Sequence, residues 1–99
     1  MNADEARKLS AEGYISIVND TFDMIVSKLE NEIVENAKAG DYDASEHFDA
    51  ADTYVQAVRE RVIEHFENLG FAVSAEIKTT VFAEPGRKFL EFTVSWKEE

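Results

Sequence analysis

The longest apolar pattern in the chain has helical spacing and lies within residues 10–39. Its members recur every three or four residues, so they form one stripe along an α-helix that packs on one face. The stripe consists of Ala11, Ile15, Val18, Phe22, Ile25, Leu29 and Ile33. Gly40 predicts the end of this helix. Because Gly13 weakens a helix by about 1 kcal/mol relative to Ala, residues 3–12 could form a separate helical turn.

A second helical pattern follows a polar connection over residues 41–49. Gly70 predicts the end of this helix, with Phe71 folding back on its last turn. Residues 71–81 and 90–96 then alternate between apolar and polar side chains, which predicts two strands. Pro85 and Gly86 lie in the predicted turn, residues 83–86, between these strands. The apolar positions of the second helix are Val55, Val58, Val62, Phe66 and Leu69.

These elements predict an α+β fold in the order ααββ, with two helices packed on a C-terminal antiparallel β-hairpin. A hairpin alone is marginally stable and has two open edges. A third strand from residues 41–48 could cover one edge, but the segment starting at Asp41 is poor strand material. Pairing between identical hairpins would cover the edges better, so we expect an oligomer. Ile17 and Met24, seven residues apart and off the main stripe, form a second strip that is a candidate oligomer contact.

The aromatic residues divide between a predicted core and a predicted contact surface. Tyr14, Phe82 and Phe89 lie at element ends or off the apolar stripes, so they are candidates for contact with a partner. The inward positions of the elements hold the aromatic residues of the predicted core, which are Phe22, Phe66, Phe71, Phe92 and Trp96.

The composition limits the chain to a single small domain, residues 1–99. A chain of 99 residues supports one modest core and excludes large catalysts built from several parts. The absence of cysteine excludes disulfides, thiolate nucleophiles and sulfur-ligated zinc, and it fits a reducing compartment. No segment approaches the roughly 20 apolar residues that a bilayer requires, and the first residues do not resemble a signal peptide. We therefore expect a cytoplasmic protein without a membrane segment.

The connection before the second helix has the spacing of a calcium loop. Oxygen-bearing residues occupy loop positions 1, 3, 5, 9 and 12, but position 6 is Glu46 where the sharp bend of such a loop calls for glycine. Capping and solvation of the following helix explain these acids without a metal, so we predict no metal and no cofactor here. The residues that would ligate calcium are Asp41, Asp43, Ser45, Asp49 and Asp52.

Catalytic motifs are not recognisable in the sequence. His47 and His65 stand 18 residues apart, and neither has a partner histidine at a metal-binding spacing. The serines lie outside glycine-flanked elbows, and the four glycines do not form a phosphate-binding loop. We therefore predict that the protein is not an enzyme.

Negative charge is concentrated in the first half of the chain. Residues 1–52 hold 13 acidic and 4 basic residues, for a net charge of −9, whereas residues 53–99 hold 8 and 6, for −2. This charge disfavours direct binding to nucleic acid or to anionic membranes, and it would attract a basic protein surface such as a nucleic-acid-binding cleft. We predict a binding protein or inhibitor, with a self-assembling structural protein and an oligomeric small-ligand sequestering protein as alternatives. The predicted binding residues are Asp20, Asp23, Glu30, Glu35, Asp41 and Asp43.

Several short segments together resemble a known class of protein. Residues 6–10 (Ala-Arg-Lys-Leu-Ser), residues 69–73 (Leu-Gly-Phe-Ala-Val) and residues 92–96 (Phe-Thr-Val-Ser-Trp) accompany a long helix. This pattern is similar to small accessory proteins of tailed bacteriophages, in which two helices precede a hairpin that ends in apolar-Ser-Trp. The resemblance implies a non-enzymatic phage or prophage protein and attaches no activity to it. It also implies structural roles for Leu69, Gly70, Phe71, Val73, Val94 and Trp96.

Overall fold

Two helices and a three-stranded antiparallel sheet make up the fold, so the predicted α+β class is confirmed. The structure is a computed structural model that describes residues 1–79 and 86–98. The predicted turn at residues 83–86 lies mostly outside these residues, as do Phe82 and the end of the predicted strand at Val81. The elements, in chain order, are α1 (Ala3–Lys38), β1 (Asp43–Asp49), α2 (Thr53–Glu67), β2 (Ala72–Thr79) and β3 (Lys88–Ser95).

The elements follow the chain order αβαββ, which corrects the predicted order ααββ, and the sheet has the strand order β1-β3-β2. The connection between the helices contains β1, which pairs with β3 so that Ala44 lies opposite Val94 and Phe48 opposite Leu90. Both Ala44 and Phe48 are buried, whereas Asp43, Ser45, His47 and Asp49 are exposed. The acidic residues of this segment disfavour a strand, but Asp43 and Asp49 face solvent. Burial of Ala44 and Phe48 stabilises the strand.

α1 is a single helix that begins well before the predicted start. The Asn2 side chain caps it by accepting a hydrogen bond of 2.8 Å from the backbone N–H of Glu5. Asp4 and Glu5 lie in the first turn, where the helix dipole favours negative charge. The helix continues through Gly13, so the separate turn over residues 3–12 is not formed.

α2 has the predicted stop and a strong start. The Asp52 carboxylate caps the helix by accepting hydrogen bonds from the backbone N–H groups of Tyr54 and Val55, at 2.8 and 3.3 Å. At the other end Gly70 has a φ of 95°, a backbone conformation that residues other than glycine rarely adopt. The backbone N–H of Phe71 then bonds the carbonyl of Phe66 at 3.1 Å, as in a Schellman motif.

The core is one layer between the two helices and one face of the sheet. Phe66 and Phe92 are buried as predicted, whereas Phe22, Phe71 and Trp96 are half-buried at its margin. Phe66, Phe71 and Trp96 form a chain of edge-to-face ring contacts with centroid distances of 5.9 and 6.2 Å. The fully buried large side chains are Ile25, Leu29, Val58, Val62, Phe66, Leu90, Phe92 and Val94.

α1 is much longer than the sheet on which it packs. Its 36 residues correspond to about 54 Å, whereas a strand of 8 residues spans about 26 Å. We call residues 3–17 of α1 the overhang, because every one of them is exposed. Ala11 and Ile15 belong to the predicted apolar stripe but lie in the overhang, so the sheet does not cover them.

The buried position of Ala44 provides a test of β1. Replacing Ala44, which is 1% exposed, with Asp would place an unpaired carboxylate in the core and lower the free energy of unfolding by at least about 3 kcal/mol. Ser45→Asp changes the neighbouring, exposed position and should cost less than about 1 kcal/mol. Urea denaturation of both variants measures this difference, and equal costs would contradict the assignment of residues 43–49 to a strand.

Candidate functional site

Three of the predicted binding carboxylates share the side of α1 that faces away from the sheet. Burial of Ile25 and Leu29 against the sheet fixes the rotation of the helix. Because residues advance by about 100° around a helix, Asp20, Asp23 and Glu30 then project from the opposite side. All three are exposed.

α2 lies beside α1 and adds three further carboxylates. Its buried face consists of Val55, Val58, Val62 and Phe66, so residues on the other side point into solvent. The acids on that side are Glu60, Glu64 and Glu67, and all three are exposed. We call the combined set the acidic helix surface: Asp20, Asp23, Glu30, Glu60, Glu64 and Glu67.

The contribution of α2 is not evident from net charge by halves of the chain, because the second half carries only −2. The helical period of α2 does contain the signal, because Glu60 and Glu64 fall opposite the apolar stripe that contains Val58 and Val62. The two helices expose their acids on the same side of the molecule because of the way they pack. The sequence pattern of either helix alone does not specify this packing.

The carboxylates of the acidic helix surface lack strong counterions. All 10 Lys and Arg residues of the chain lie within residues 1–79 and 86–98. Within these residues, none of their nitrogens comes within 4.0 Å of a carboxylate of this surface. The nearest basic side chain is His65, whose Nε2 is 4.0 Å from Oε1 of Glu30. The negative charge of the surface is therefore uncompensated by direct ion pairs with Lys or Arg.

Arg61 lies at the contact between the two helices. Arg61 donates a hydrogen bond of 2.8 Å to Oδ1 of Asn19, and its guanidinium lies 4.0 Å from the centre of the Phe22 ring. His65 contacts the same ring edge-on, with 5.6 Å between centroids. An amide and an aromatic ring thus hold Arg61 at the helix contact, and it does not pair with a carboxylate.

The remaining predicted binding residues do not join this surface. Glu35 is exposed but lies on the side of α1 that faces away from α2, about 140° from Glu30 and about 60° from Asp20 around the helix. Asp41 lies after the helix, and Asp43 lies on β1, where its carbonyl accepts a hydrogen bond of 3.0 Å from Nδ2 of Asn36. The six predicted carboxylates therefore divide into one group of three on the acidic helix surface and three separate, exposed residues.

The predicted oligomer contact at Ile17 and Met24 is exposed, at 44% and 40%. β1 covers one edge of β3, and Nη2 of Arg59 donates a hydrogen bond of 2.8 Å to the carbonyl of Ala75 on β2. The three-stranded sheet still has two edge strands, β1 and β2, so pairing between the edges of two copies stays a prediction, as does oligomerisation.

The face of the sheet that the helices leave uncovered carries polar residues. His47, Glu91 and Glu76 lie in one row across β1, β3 and β2. Lys78 Nζ is 2.8 Å from Oε1 of Glu91, and this hydrogen bond, with the charge of the carboxylate, raises the pKa of Lys78 above its ordinary value. In residues 1–79 and 86–98, no cluster of His, Asp or Glu is arranged to hold a metal ion.

The connection that resembled a calcium loop does not have the geometry of one. Asp43 and Ser45 belong to the extended strand β1. The carboxylate of Asp49 accepts a hydrogen bond of 2.9 Å from the backbone N–H of Ala51, and Asp52 caps α2. These residues stabilise the local backbone, as the alternative to a metal site predicts.

Comparisons with protein-family models, with curated proteins and with solved structures found no match for this chain. Within the described part of the chain, no helix combines the length and apolar character needed to cross a membrane.

The acids of this surface should contribute little to stability. Replacing Asp20 and Asp23 with Asn and Glu30 with Gln should change the free energy of unfolding by less than about 1 kcal/mol, because exposed carboxylates without partners stabilise little. Asp52→Ala removes an acid that caps a helix and should cost about 1 kcal/mol on its own. Chemical denaturation measures both, and a larger loss for the triple variant than for Asp52→Ala would assign these acids a structural role.

Proposed function

We propose that the protein is a non-catalytic binding protein whose acidic helix surface occupies a basic surface of another protein. The main support is that six exposed carboxylates project from two adjacent helices without an ion pair to any Lys or Arg among residues 1–79 and 86–98. Isolated surface acids are ordinary, but an extended uncompensated group produces a field that attracts positive charge. The field would accelerate encounter with a basic partner and repel nucleic acid and anionic membranes.

The density of charge is compatible with mimicry of a nucleic-acid backbone. From Asp20 to Glu30 the axis of α1 rises about 15 Å, and from Glu60 to Glu67 that of α2 rises about 10 Å. Six carboxylates over about 15 Å give one charge per about 2.5 Å, against about 1.7 Å in double-stranded DNA. The surface is somewhat less charged than a duplex but of the same order. A nucleic-acid-binding cleft is therefore a suitable partner, and the protein would act as its inhibitor.

The resemblance to small phage accessory proteins supports a phage or prophage origin and action in the host cytoplasm. Two of the segments that carry it, residues 69–73 and 92–96, contain structural residues, whereas residues 6–10 lie in the exposed overhang. Gly70 ends α2, Val94 is buried, and Trp96 packs edge-on against Phe71. Gly70, Val94 and Trp96 stabilise the fold, so the acidic helix surface is the part that would select a partner.

Salt-dependent binding to a basic probe tests the proposal. A fluorescent Lys/Arg-rich peptide of about 20 residues should bind the protein at low salt, and its affinity should fall steeply as salt screens the charges. The triple variant D20N/D23N/E30Q should bind about tenfold more weakly, since each exposed charge contributes on the order of 0.5 kcal/mol. Fluorescence anisotropy at several salt concentrations measures both effects.

A variant with the same change in net charge elsewhere is the matched control. Replacing Glu46, Glu76 and Glu98 with Gln also removes three negative charges, but none of these belongs to the acidic helix surface. This control should bind within about threefold of the unmodified protein, because rim charges act mainly near the contact. If both triple variants weaken binding equally, net charge rather than this surface governs the interaction, and the proposal is wrong.

A further inference from the structure

β2 is an edge strand with an uncovered apolar residue. Within residues 1–79 and 86–98, β2 pairs only with β3, so no strand lies along its other side. Ile77 lies opposite Leu90 and therefore on the helix side of the sheet, yet Ile77 is 51% exposed whereas Leu90 is fully buried. An exposed edge of this kind is a template for pairing with another strand.

The outward backbone groups of β2 belong to its odd-numbered residues. The N–H of Trp96 bonds the carbonyl of Tyr42 at 3.0 Å, so the even-numbered residues of β3 bond β1. Because the direction alternates along a strand, the odd-numbered residues of β3 bond the even-numbered residues of β2. The N–H and carbonyl groups of Ala75, Ile77 and Thr79 therefore point away from the sheet.

Arg59 covers only one end of this edge. Its Nη2 donates a hydrogen bond of 2.8 Å to the carbonyl of Ala75, which agrees with the outward direction of that group. Val73 and Ala75 are partly buried, whereas every residue from Glu76 to Thr79 is exposed. The accessible part of the edge is therefore centred near Ile77.

We propose that β2 pairs with β2 of a second copy of this chain, antiparallel and with Ile77 on the two-fold axis. The two sheets would then form one continuous antiparallel sheet. Ile77 would lie opposite Ile77 of the second copy and Ala75 opposite Thr79, and these are the positions whose backbone groups point outward. The inference does not depend on the proposed function of the acidic helix surface.

The charges of β2 are self-complementary in this register. Glu76 would lie opposite Lys78 of the second copy, and Lys78 opposite Glu76, as close pairs on the uncovered face of the sheet. Within one copy Glu76 instead lies opposite Glu91, a like charge, and Lys78 bonds Glu91 at 2.8 Å. The second copy thus places a cation directly opposite Glu76.

Neighbouring registers lack this complementarity. An axis at Glu76 would set two glutamates against each other, and an axis at Lys78 would set two lysines against each other. An axis at Ala75 would place Glu76 and Lys78 opposite uncharged residues and put Arg59 at the centre of the contact.

The other edge, β1, does not suit the same pairing. Its residues include Asp43, Glu46 and Asp49 and no Lys or Arg, so two β1 strands would repel each other. By contrast, residues 68–98 hold four acidic and four basic residues, for a net charge of zero. Two copies can therefore approach through β2 with little repulsion.

Sedimentation equilibrium of charge-exchange variants tests the dimer and its register. Because one strand from each copy makes a small contact, the unmodified protein should associate at tens to hundreds of micromolar. Glu76→Lys should weaken association at least about tenfold, since it replaces two attractive pairs with repulsive ones. The double variant E76K/K78E should restore association, because it exchanges the members of each pair. A monomer throughout this range, or a double variant as weak as E76K, would overturn the inference.

Asp43→Lys on β1 is the matched control. It changes the net charge by the same amount as Glu76→Lys at another exposed edge position. Association of this variant should be at least as strong as that of the unmodified protein, because a smaller net charge reduces the repulsion between copies. If Asp43→Lys weakens association as much as Glu76→Lys, the contact does not lie at β2 and the inference is wrong.

Introduced cysteines test the orientation, because the chain has none of its own. Ile77→Cys places two thiols at the two-fold axis with about 5.5 Å between Cα atoms, within the range of a disulfide. Thr79→Cys would lie opposite Ala75 in the antiparallel arrangement but opposite its own counterpart in a parallel one. After mild oxidation, non-reducing electrophoresis should show a linked dimer for Ile77→Cys and little for Thr79→Cys. Equal yields would contradict the antiparallel pairing.

Discussion

The structure depends on the burial of one apolar layer between β3 and the two helices. Leu90, Phe92 and Val94 project from the central strand, and all three are completely buried. Ile25 and Leu29 of α1 and four side chains of α2 cover them. Because β3 is hydrogen-bonded on both sides, this layer fixes the sheet, the rotation of each helix and the contact between them. Loss of Phe92 would remove the ring that Phe48 contacts edge-on, at 6.1 Å between centroids.

The same layer explains why the acids collect on the far side of the helices. A chain of 99 residues with 21 acidic residues has a single core that accepts no unpaired charge, and no polar residue is buried in its described part. Once the apolar stripes of α1 and α2 face the sheet, helical geometry directs Asp23 and Glu64 outward. Arg61 donates a hydrogen bond to Asn19 and packs on the ring of Phe22, so it forms no ion pair with Asp23 or Glu64.

Much of the fold follows from local pattern. The stripe through Ile25 and Leu29, the glycine stop at Gly70 and the alternation in β3 are each determined by neighbouring residues, and each is present as predicted. β1 is different, because its stability comes from pairing with β3, almost fifty residues away, and from burial of Ala44. Propensity alone disfavours this acidic strand. Tertiary pairing overrides it, and no pattern within residues 41–49 shows the partner.

The site and the overhang show the same division between local and tertiary information. The outward direction of Asp20, Asp23 and Glu30 follows from the period of α1. Their combination with acids of α2, and the separation of Glu35, Asp41 and Asp43 from them, depends on how the elements pack. The exposure of Ile15 depends on the length of α1 relative to the strands, since the stripe itself is continuous. Patterns therefore identify which face of an element is apolar, and packing decides whether that face is covered.

The central claim is that the negative potential is strongest on the acidic helix surface. Nuclear magnetic resonance measures this potential residue by residue, from the difference in relaxation that cationic and anionic paramagnetic cosolutes cause at backbone amides. The account predicts the most negative values in α1 around residues 20–30 and in α2 around residues 60–67. A potential that is uniform around the molecule, or most negative on the uncovered face of the sheet, would contradict it.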